Sequence, residues 1–223
     1  MYSYRPLLAV LALLVAACAG SPPLNAAPDS EPAAKMAPAE GNPAAATQGE
    51  RGVAVFAGGC FWCVESAYDD LDGVYSAVSG YTGGKKANPG YYEVAGGKTR
   101  HAEAVRVVYD PAKLSYAKLI DVFWKNVDPF QRDGQFCDHG PQYRSEVYVA
   151  DPVQRALAEK TRADVAKRFG REVVTKVSDA SIFWPAEEYH QDFHRKSPVR
   201  YLSYRMGCGR DRRLAELWGK SEH

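Results

Sequence analysis

The stretch GVAVFAGGCFWCVESAYDDL, residues 52–71, places a predicted strand, a glycine turn and a predicted helix in direct succession. Its first eight residues are mostly β-branched or small and end in two glycines, which is typical of a buried strand that enters a tight turn. Apolar residues then recur at helical spacing, at Phe61, Val64, Tyr68 and Leu71. We therefore expect Cys60 at, or just before, the N-terminus of a helix.

Strands and helices continue along the chain without a strict alternation. Further strands are predicted within residues 73–84, 101–111, 143–150 and 171–179. Helices are predicted after the N-cap residues Ser115 and Asp151. The segments interpreted as loops or as short helices in irregular chain are 85–100, 128–142 and 183–220. This mixture predicts an α/β or α+β sandwich with a mixed β-sheet rather than a doubly wound fold.

Composition limits the number of domains and the kinds of partner. The chain has 223 residues, 46% of them hydrophobic, which is enough for one sizeable domain. Its 28 Lys and Arg against 27 Asp and Glu give a net charge of +1, so neither nucleic acid nor an acidic membrane is indicated as the main partner. The 14 Tyr, 8 Phe and 4 Trp suit an apolar pocket with hydroxyl donors.

The first 17 residues have the pattern of a signal peptide. An arginine precedes an apolar run that is too short to span a bilayer. The run ends in VAAC, which resembles the lipobox of bacterial lipoproteins and predicts cleavage before a lipidated Cys18. An ordinary signal peptide cleaved at a nearby alanine is the alternative, and both interpretations predict export. Ala19 is not an acidic retention residue, which favours a periplasmic protein anchored in the outer membrane.

Residues 18–51 are mainly Ala, Pro, Gly, Ser and Glu without hydrophobic periodicity. Such a segment buries too little apolar surface to offset its ordering entropy, so it is predicted to be a disordered tether. The catalytic domain is predicted to be residues 52–223.

A thiol at a helix N-terminus experiences partial positive charge, which stabilises the thiolate and lowers the thiol pKa. Cys60 is therefore a candidate nucleophile, with a structural role as the alternative. Apart from Cys18 the cysteines are Cys60, Cys63, Cys137 and Cys208. A CxxC pair with two cysteines in polar, Gly-flanked loops suits redox exchange better than a disulfide scaffold. Cys137 is predicted to be a buried, unreactive residue.

Glu103 lies on the apolar face of its predicted strand. Alternation places it with Val105 and Val107, so its carboxyl group is directed towards the core. An ion pair with Arg106 is the alternative interpretation.

Seven motifs occur in the order in which they are found in the A-type peptide methionine sulfoxide reductases, which this chain resembles from Val53 to about His190. These motifs are GGCFWCVE, GYTGG, GYYEV, HAEAVRVVYDP, VFWKNVDP, CDHGPQYRSEVY and FWPAEEYHQDFH. The resemblance implies an α/β sandwich with a mixed sheet, flanking helices and extensive coil. It also implies reduction of methionine S-sulfoxide, free and in proteins, by thiol chemistry with thioredoxin-type recycling. It implies no metal or other cofactor, and we expect a monomer.

The resemblance also assigns roles to individual residues. Cys60 matches the nucleophile of the family, and Phe61 and Trp62 match the walls of its methyl pocket. Glu103 matches the acid. The groups that match the hydrogen-bonding partners of the sulfoxide oxygen are Tyr91, Asp138 and Tyr143. A buried carboxylic acid fits this chemistry, since sulfoxide oxygen leaves poorly until it is protonated.

The resolving cysteine is not fixed by the resemblance. The commoner family pattern has glycine where this chain has Cys63 and carries its resolving cysteine near the C-terminus. Cys63 is favoured because three residues of separation cost little loop-closure entropy. Cys208 is the competing candidate and could also relay the disulfide.

Two other classes of protein are compatible with parts of the sequence. A strand, a turn, CxxC and a helix also occur in thioredoxin-like oxidoreductases, but Phe-Trp is an unusual intervening pair there. His190 and His194 have the i, i+4 spacing of metal ligands, and Cys137 and His139 could add to them. The thioredoxin-like class does not account for Glu103 and the tyrosines, and a histidine pair at this spacing is more often a surface or packing feature than a metal site.

Overall fold

The computed structural model describes residues 51–219, and the predicted signal peptide, Cys18 and nearly all of the tether lie outside this range. The strands are β1 (Gly52–Gly58), β2 (Val74–Thr82), β3 (Ala102–Tyr109), β4 (Gly134–Gln135), β5 (Asp138–His139), β6 (Ser145–Val149), β7 (Lys176–Asp179) and β8 (Trp184–Pro185). Six of them form one sheet in the order β7-β6-β1-β3-β2-β8, and β4 and β5 form a separate ladder.

The main sheet is mixed, as predicted. Strand β1 is central and pairs antiparallel with β3 on one side and with β6 on the other. Strand β2 pairs antiparallel with β3 and β8, whereas β6 and β7 are parallel. The five predicted strands correspond to β1, β2, β3, β6 and β7.

The helices are α1 (Phe61–Tyr68), α2 (Tyr91–Ala95), α3 (Tyr116–Lys125), α4 (Pro152–Phe169), α5 (Phe193–Lys196), α6 (Pro198–Gly207) and α7 (Arg210–Trp218). The predicted N-caps are confirmed: the Ser115 side chain accepts the Lys118 N–H, and Asp151 accepts the Gln154 N–H. No helix within residues 51–219 combines the length and the apolar character that crossing a membrane requires.

The main core lies between one face of the sheet and helices α1, α3 and α4. Phe56, Val105 and Val147 contribute from the sheet, and Phe123 and Ala158 contribute from the helices. A smaller apolar cluster around Tyr148 and Phe183 covers the opposite face. The result is the predicted sandwich, followed after β7 by β8, short helices and their connecting segments.

Two segments predicted as loops contain regular structure. Residues 85–100 include the short helix α2, which begins with reciprocal bonds between Gly90 and Glu93. Residues 128–142 include the β4–β5 ladder. Both elements are only two to five residues long, so neither gives a periodic pattern in the sequence.

The turn between β1 and α1 depends on glycine. Gly59 has φ of +86°, a left-handed conformation that side chains other than glycine rarely adopt. A methyl group on Gly59 would lie 2.6 Å from Cβ of Gln135. This close approach brings the β4–β5 ladder against the start of α1.

Candidate active site

Cys60 is the N-cap residue of α1, where β1 and the glycine turn deliver it. Its backbone carbonyl accepts the N–H groups of Cys63 and Val64. The predicted position of Cys60 at a helix N-terminus is therefore confirmed. The residue is only 6% exposed and lies beside Cys63, which is fully buried.

The two thiols of this motif titrate as a pair, and the prediction that the helix N-terminus lowers the pKa of Cys60 was wrong. Burial raises the pKa of the Cys60 thiol well above its usual value, and a hydrogen bond with Cys63 raises it further. The same hydrogen bond lowers the pKa of Cys63 to about 6, and the guanidinium groups of Arg210 and Arg205 act in the same direction. Near neutral pH the pair therefore shares one proton and one negative charge, and Cys63 is the more acidic of the two thiols. The desolvation of a 6% exposed residue outweighs the helix dipole that was expected to lower the pKa of Cys60.

Glu103 is buried on β3, opposite Tyr81 of β2, and reaches the same helix N-terminus. Its Oε2 accepts the backbone N–H of Phe61 at 3.0 Å. Burial raises the pKa of Glu103 to about 8, although the Phe61 hydrogen bond opposes the shift. Glu103 is thus a neutral carboxylic acid at pH 7. The alternative ion pair is wrong, because the Arg106 guanidinium lies over the Phe183 ring instead, 5.2 Å from its centroid.

Tyr91, Asp138 and Tyr143 meet Cys60 and Glu103 although they come from three different segments. Tyr91 begins α2, Asp138 begins β5, and Tyr143 ends the 3-10 turn Pro141–Tyr143. Burial raises the pKa of the Tyr143 phenol, and the nearby Glu103, Tyr91, Asp138 and Cys60 raise it further. Burial likewise raises the pKa of Tyr91, followed by Glu103 and Cys60. Both phenols therefore remain protonated hydrogen-bond donors.

Phe61 and Trp62 form an aromatic group beside the thiols. Phe61 is buried, and its ring centroid lies 4.9 Å from that of His190. The half-buried Trp62 ring stacks on Phe193 at a centroid distance of 3.8 Å. The two rings thus form an apolar wall directly after Cys60 in the chain, and Trp62 packs against the cluster that contains Cys63.

His190 holds the Trp62 side chain, a role that the sequence did not indicate. Its Nδ1 accepts the indole Nε1–H at 3.1 Å. Burial lowers the pKa of His190 to about 3, so the ring stays neutral and keeps this acceptor. Within residues 51–219, His190 belongs to no cluster of three potential metal ligands.

Cys137 and Cys208 form a disulfide bond across 71 residues of sequence. The prediction that Cys137 is buried and unreactive is wrong, because the residue is exposed and forms this disulfide bond. Cys208, a candidate resolving thiol, is therefore not free in this state. Cys60 and Cys63 are the free thiols within the described residues.

Two groups of side chains have the composition of metal ligands. Cys137, Asp138 and Cys208 offer ligand atoms within 4.8 Å of one another, but both sulfurs are in the disulfide. In the second group, Glu65, Asp69 and His194, the Glu65 carboxylate already accepts from the Ser79 hydroxyl and the Asp192 N–H. The Arg195 guanidinium lies 2.6 Å from Asp69 Oδ2, which disfavours a cation there.

Comparison with known proteins assigns the chain to a family. The family profile described as peptide methionine sulfoxide reductase matches residues 52–222. Two curated proteins named peptide methionine sulfoxide reductase MsrA 2, from Rhizobium meliloti and Caulobacter vibrioides, are each 50% identical to this chain. The matches span 74% of this chain and 83% and 85%, respectively, of those two proteins. A protein named MsrA from Bacillus licheniformis is 42% identical over 77% of this chain and 96% of its own length.

Solved structures agree with this assignment. The reduced form of Mxr1 from Saccharomyces cerevisiae superposes with a TM-score of 0.64 at 29% identity, over 67% of this chain and 87% of that one. The methionine sulfoxide reductase A of Corynebacterium diphtheriae gives a TM-score of 0.61 at 30% identity, over 69% and 78%. A thioredoxin-like oxidoreductase, the first alternative from the sequence, is thereby ruled out. The chain belongs to the peptide methionine sulfoxide reductase family and, within it, to the A type.

Proposed function

We propose that this protein reduces methionine S-sulfoxide, free and within proteins, to methionine, with Cys60 as the nucleophile. As a family member it is an oxidoreductase of the peptide-methionine (S)-S-oxide reductase class. The observation that carries the proposal is the meeting of a thiol, a buried neutral carboxylic acid and an apolar wall at the N-terminus of α1. A sulfoxide needs these three features together, because its methyl group is apolar while its oxygen must be protonated to leave.

Phe61 and Trp62 are proposed to hold the S-methyl group, and the neutral Glu103 to protonate the oxygen. Tyr91 and Tyr143 are proposed to donate hydrogen bonds to the same oxygen, since both phenols remain protonated beside Glu103. Asp138 completes the polar side of the pocket. Charge that develops on the oxygen would thus meet preorganised donors in a buried site.

The Cys60 and Cys63 pair supplies both the nucleophile and the base. As the Cys60 sulfur attacks the sulfoxide sulfur, its proton passes to the adjacent Cys63 thiolate. Oxygen transfer then leaves methionine and a sulfenic acid on Cys60. Cys63 next attacks the sulfenic sulfur, an S–S bond forms and the S–O bond breaks, and the oxygen leaves as water. The two protons of that water are those that Glu103 and the thiol pair hold at the start.

Cys63 is therefore proposed as the resolving cysteine. It is adjacent to Cys60, whereas Cys208 is bonded to Cys137 and would need prior reduction to take part. A protein dithiol of the thioredoxin type is proposed to reduce the Cys60–Cys63 disulfide, and Cys208 is the candidate relay once its own bond to Cys137 is reduced. The chemistry uses side chains of the protein and calls for no further cofactor.

An exported, lipid-anchored form is proposed from the N-terminal sequence. The signal-peptide pattern and the VAAC motif support membrane attachment through Cys18, and the Ala/Pro-rich segment after Cys18 would link that anchor to a monomeric domain that acts on oxidised exported proteins.

The activity is tested with separate epimers of free and peptidyl methionine sulfoxide and with dithiothreitol as reductant. Methionine should form from the S epimer only, and Cys60→Ser should form none. Equal reduction of both epimers, or product from Cys60→Ser, would contradict the proposal.

A further inference from the structure

We propose that Tyr204 is a positioning residue that orients Asp138 in the active site, and that the Cys137–Cys208 disulfide holds the two residues together. The inference rests on the proposed function, but Tyr204 is a residue that neither the sequence motifs nor the family resemblance singled out. Tyr204 lies in the last turn of helix α6.

The Asp138 carboxylate links α6 to the nucleophile. Its Oδ2 accepts a hydrogen bond from the Tyr204 hydroxyl, and the backbone of Cys60 also hydrogen-bonds to this carboxylate. Burial raises the pKa of Tyr204, with nearby Cys60 and Asp138 adding to the shift, so the phenol keeps its proton and remains a donor. Tyr204 thereby fixes one carboxylate that contacts the backbone of the nucleophile.

The Tyr204 ring also contacts the apolar wall. Its edge packs against Trp62 at a centroid distance of 5.8 Å in a T-shaped arrangement. The same helix places Tyr201 in the cluster with Cys63 and Phe193. The inner face of α6 therefore forms one side of the pocket.

The disulfide joins the same two segments as the Tyr204–Asp138 hydrogen bond. Cys137 is the neighbour of Asp138, and Cys208 follows Tyr204 by four residues, one helical turn along the same face. The backbone N–H of Cys137 also donates a hydrogen bond to Cys208 Sγ, with an N···S distance of 3.1 Å. A covalent bond between these segments limits how far α6 and the β4–β5 ladder can separate, which keeps the Tyr204 hydroxyl within reach of Asp138.

The test is a set of single turnovers with free methionine S-sulfoxide, without added reductant, in which the methionine formed is followed against time and substrate concentration. Tyr204→Phe keeps the ring against Trp62 and should slow the reduction about tenfold, as expected when a hydrogen bond to a buried carboxylate is lost. The half-saturating substrate concentration should change by less than about twofold, because the methyl pocket is intact.

A double-mutant cycle shows whether Tyr204 acts through Asp138. Asp138→Asn should slow the reduction, and adding Tyr204→Phe to it should cause little further loss. Ser203→Ala, which removes a hydroxyl from the exposed side of α6, is the matched control and should react at the parental rate. A parental rate in Tyr204→Phe, or losses that multiply in the double variant, would overturn the positioning role.

The contribution of the disulfide is measured in the double variant Cys137→Ala with Cys208→Ala. It should show a loss similar to that of Tyr204→Phe, and the two changes together should not multiply. A parental rate in the disulfide variant would overturn its part in the proposal. Failure of the proposed function is distinguishable from both outcomes, since the unmodified protein would then form no methionine.

Discussion

Glu103 shows at the scale of one residue how burial creates a functional group. Its carboxyl is 2% exposed and has a pKa raised to about 8, although the N–H of Phe61 donates to it. Glu103→Gln preserves the shape and a hydrogen-bond donor but removes the acid. We expect a roughly hundredfold slower single turnover at neutral pH, with an unchanged fold by circular dichroism. Glu172→Gln, on the exposed surface, is the control, and a parental rate in Glu103→Gln would make Glu103 only a structural residue.

The two titrations of the site predict a bell-shaped pH dependence for the reduction step. The thiol pair must have lost one proton, which occurs as pH rises through about 6, the pKa of Cys63. Glu103 must keep its proton, which it loses as pH rises through about 8. The single-turnover rate should therefore rise through the first value and fall through the second. In Glu103→Gln the fall at alkaline pH should disappear, and its persistence would assign that limb to another group.

Individual site residues differ in how far the sequence predicts them. Strand alternation places Glu103 on the buried face, and the family motifs bring Tyr91, Asp138 and Tyr143 into one group, as the structure does. The Tyr204–Asp138 hydrogen bond spans 66 residues and joins helix α6 to the two-residue strand β5, so no local pattern encodes it. The raised pKa of Cys60 depends on burial by distant segments of the chain, which its position at a helix N-terminus does not reveal.

At the scale of elements, the β1–turn–α1 unit sets the direction of the nucleophile. Gln135 packs against Gly59 and is itself fixed, since it accepts the Asp128 N–H and donates to the carbonyls of Asp128 and Gly134. Gly59→Ala therefore combines a strained φ with a contact that cannot relax. We expect the free energy of unfolding to fall by about 2 kcal/mol or more, measured by denaturant titration.

Gly207→Ala is the matched control for this substitution. Gly207 is helical, has no atom within 4 Å of an added methyl group, and gains helix propensity as alanine. Its stability should be equal to or slightly above that of the parent. A Gly59→Ala variant as stable as Gly207→Ala would contradict the account of the turn.

The elements themselves were predicted where the pattern is long. Strand β1 with helix α1, strand β3, and helices α3 and α4 with their N-caps all follow from periodicity and capping residues. Helix α2 and the strands β4, β5 and β8 were missed, because two to five residues carry no period. The parallel pairing of β6 with β7 is a property of the chain path through α4, which strand composition alone does not specify.

At the scale of the whole molecule, the proposed lipid anchor and the catalytic domain are expected to be independent. Residues 1–50, which contain the predicted anchor, lie outside the described range, whereas the active-site residues from Cys60 to Tyr204 lie within it. Cys18→Ser should release the protein from membranes and leave sulfoxide reduction unchanged. Fractionation of host cells with an activity assay on each fraction measures both effects. Retention of the variant in the membrane fraction would point to a different anchor.

The central claim joins all three scales: Cys60 takes the oxygen and Cys63 resolves it while Cys137–Cys208 stays intact. The direct measurement is one turnover with excess methionine S-sulfoxide and no reductant, followed by acid quenching, mass-spectrometric mapping of disulfides and quantification of methionine. The account predicts one methionine per chain, a new Cys60–Cys63 disulfide and an unchanged Cys137–Cys208 bond, with no product from Cys60→Ser. A Cys60–Cys208 disulfide, or methionine formed by Cys60→Ser, would contradict it.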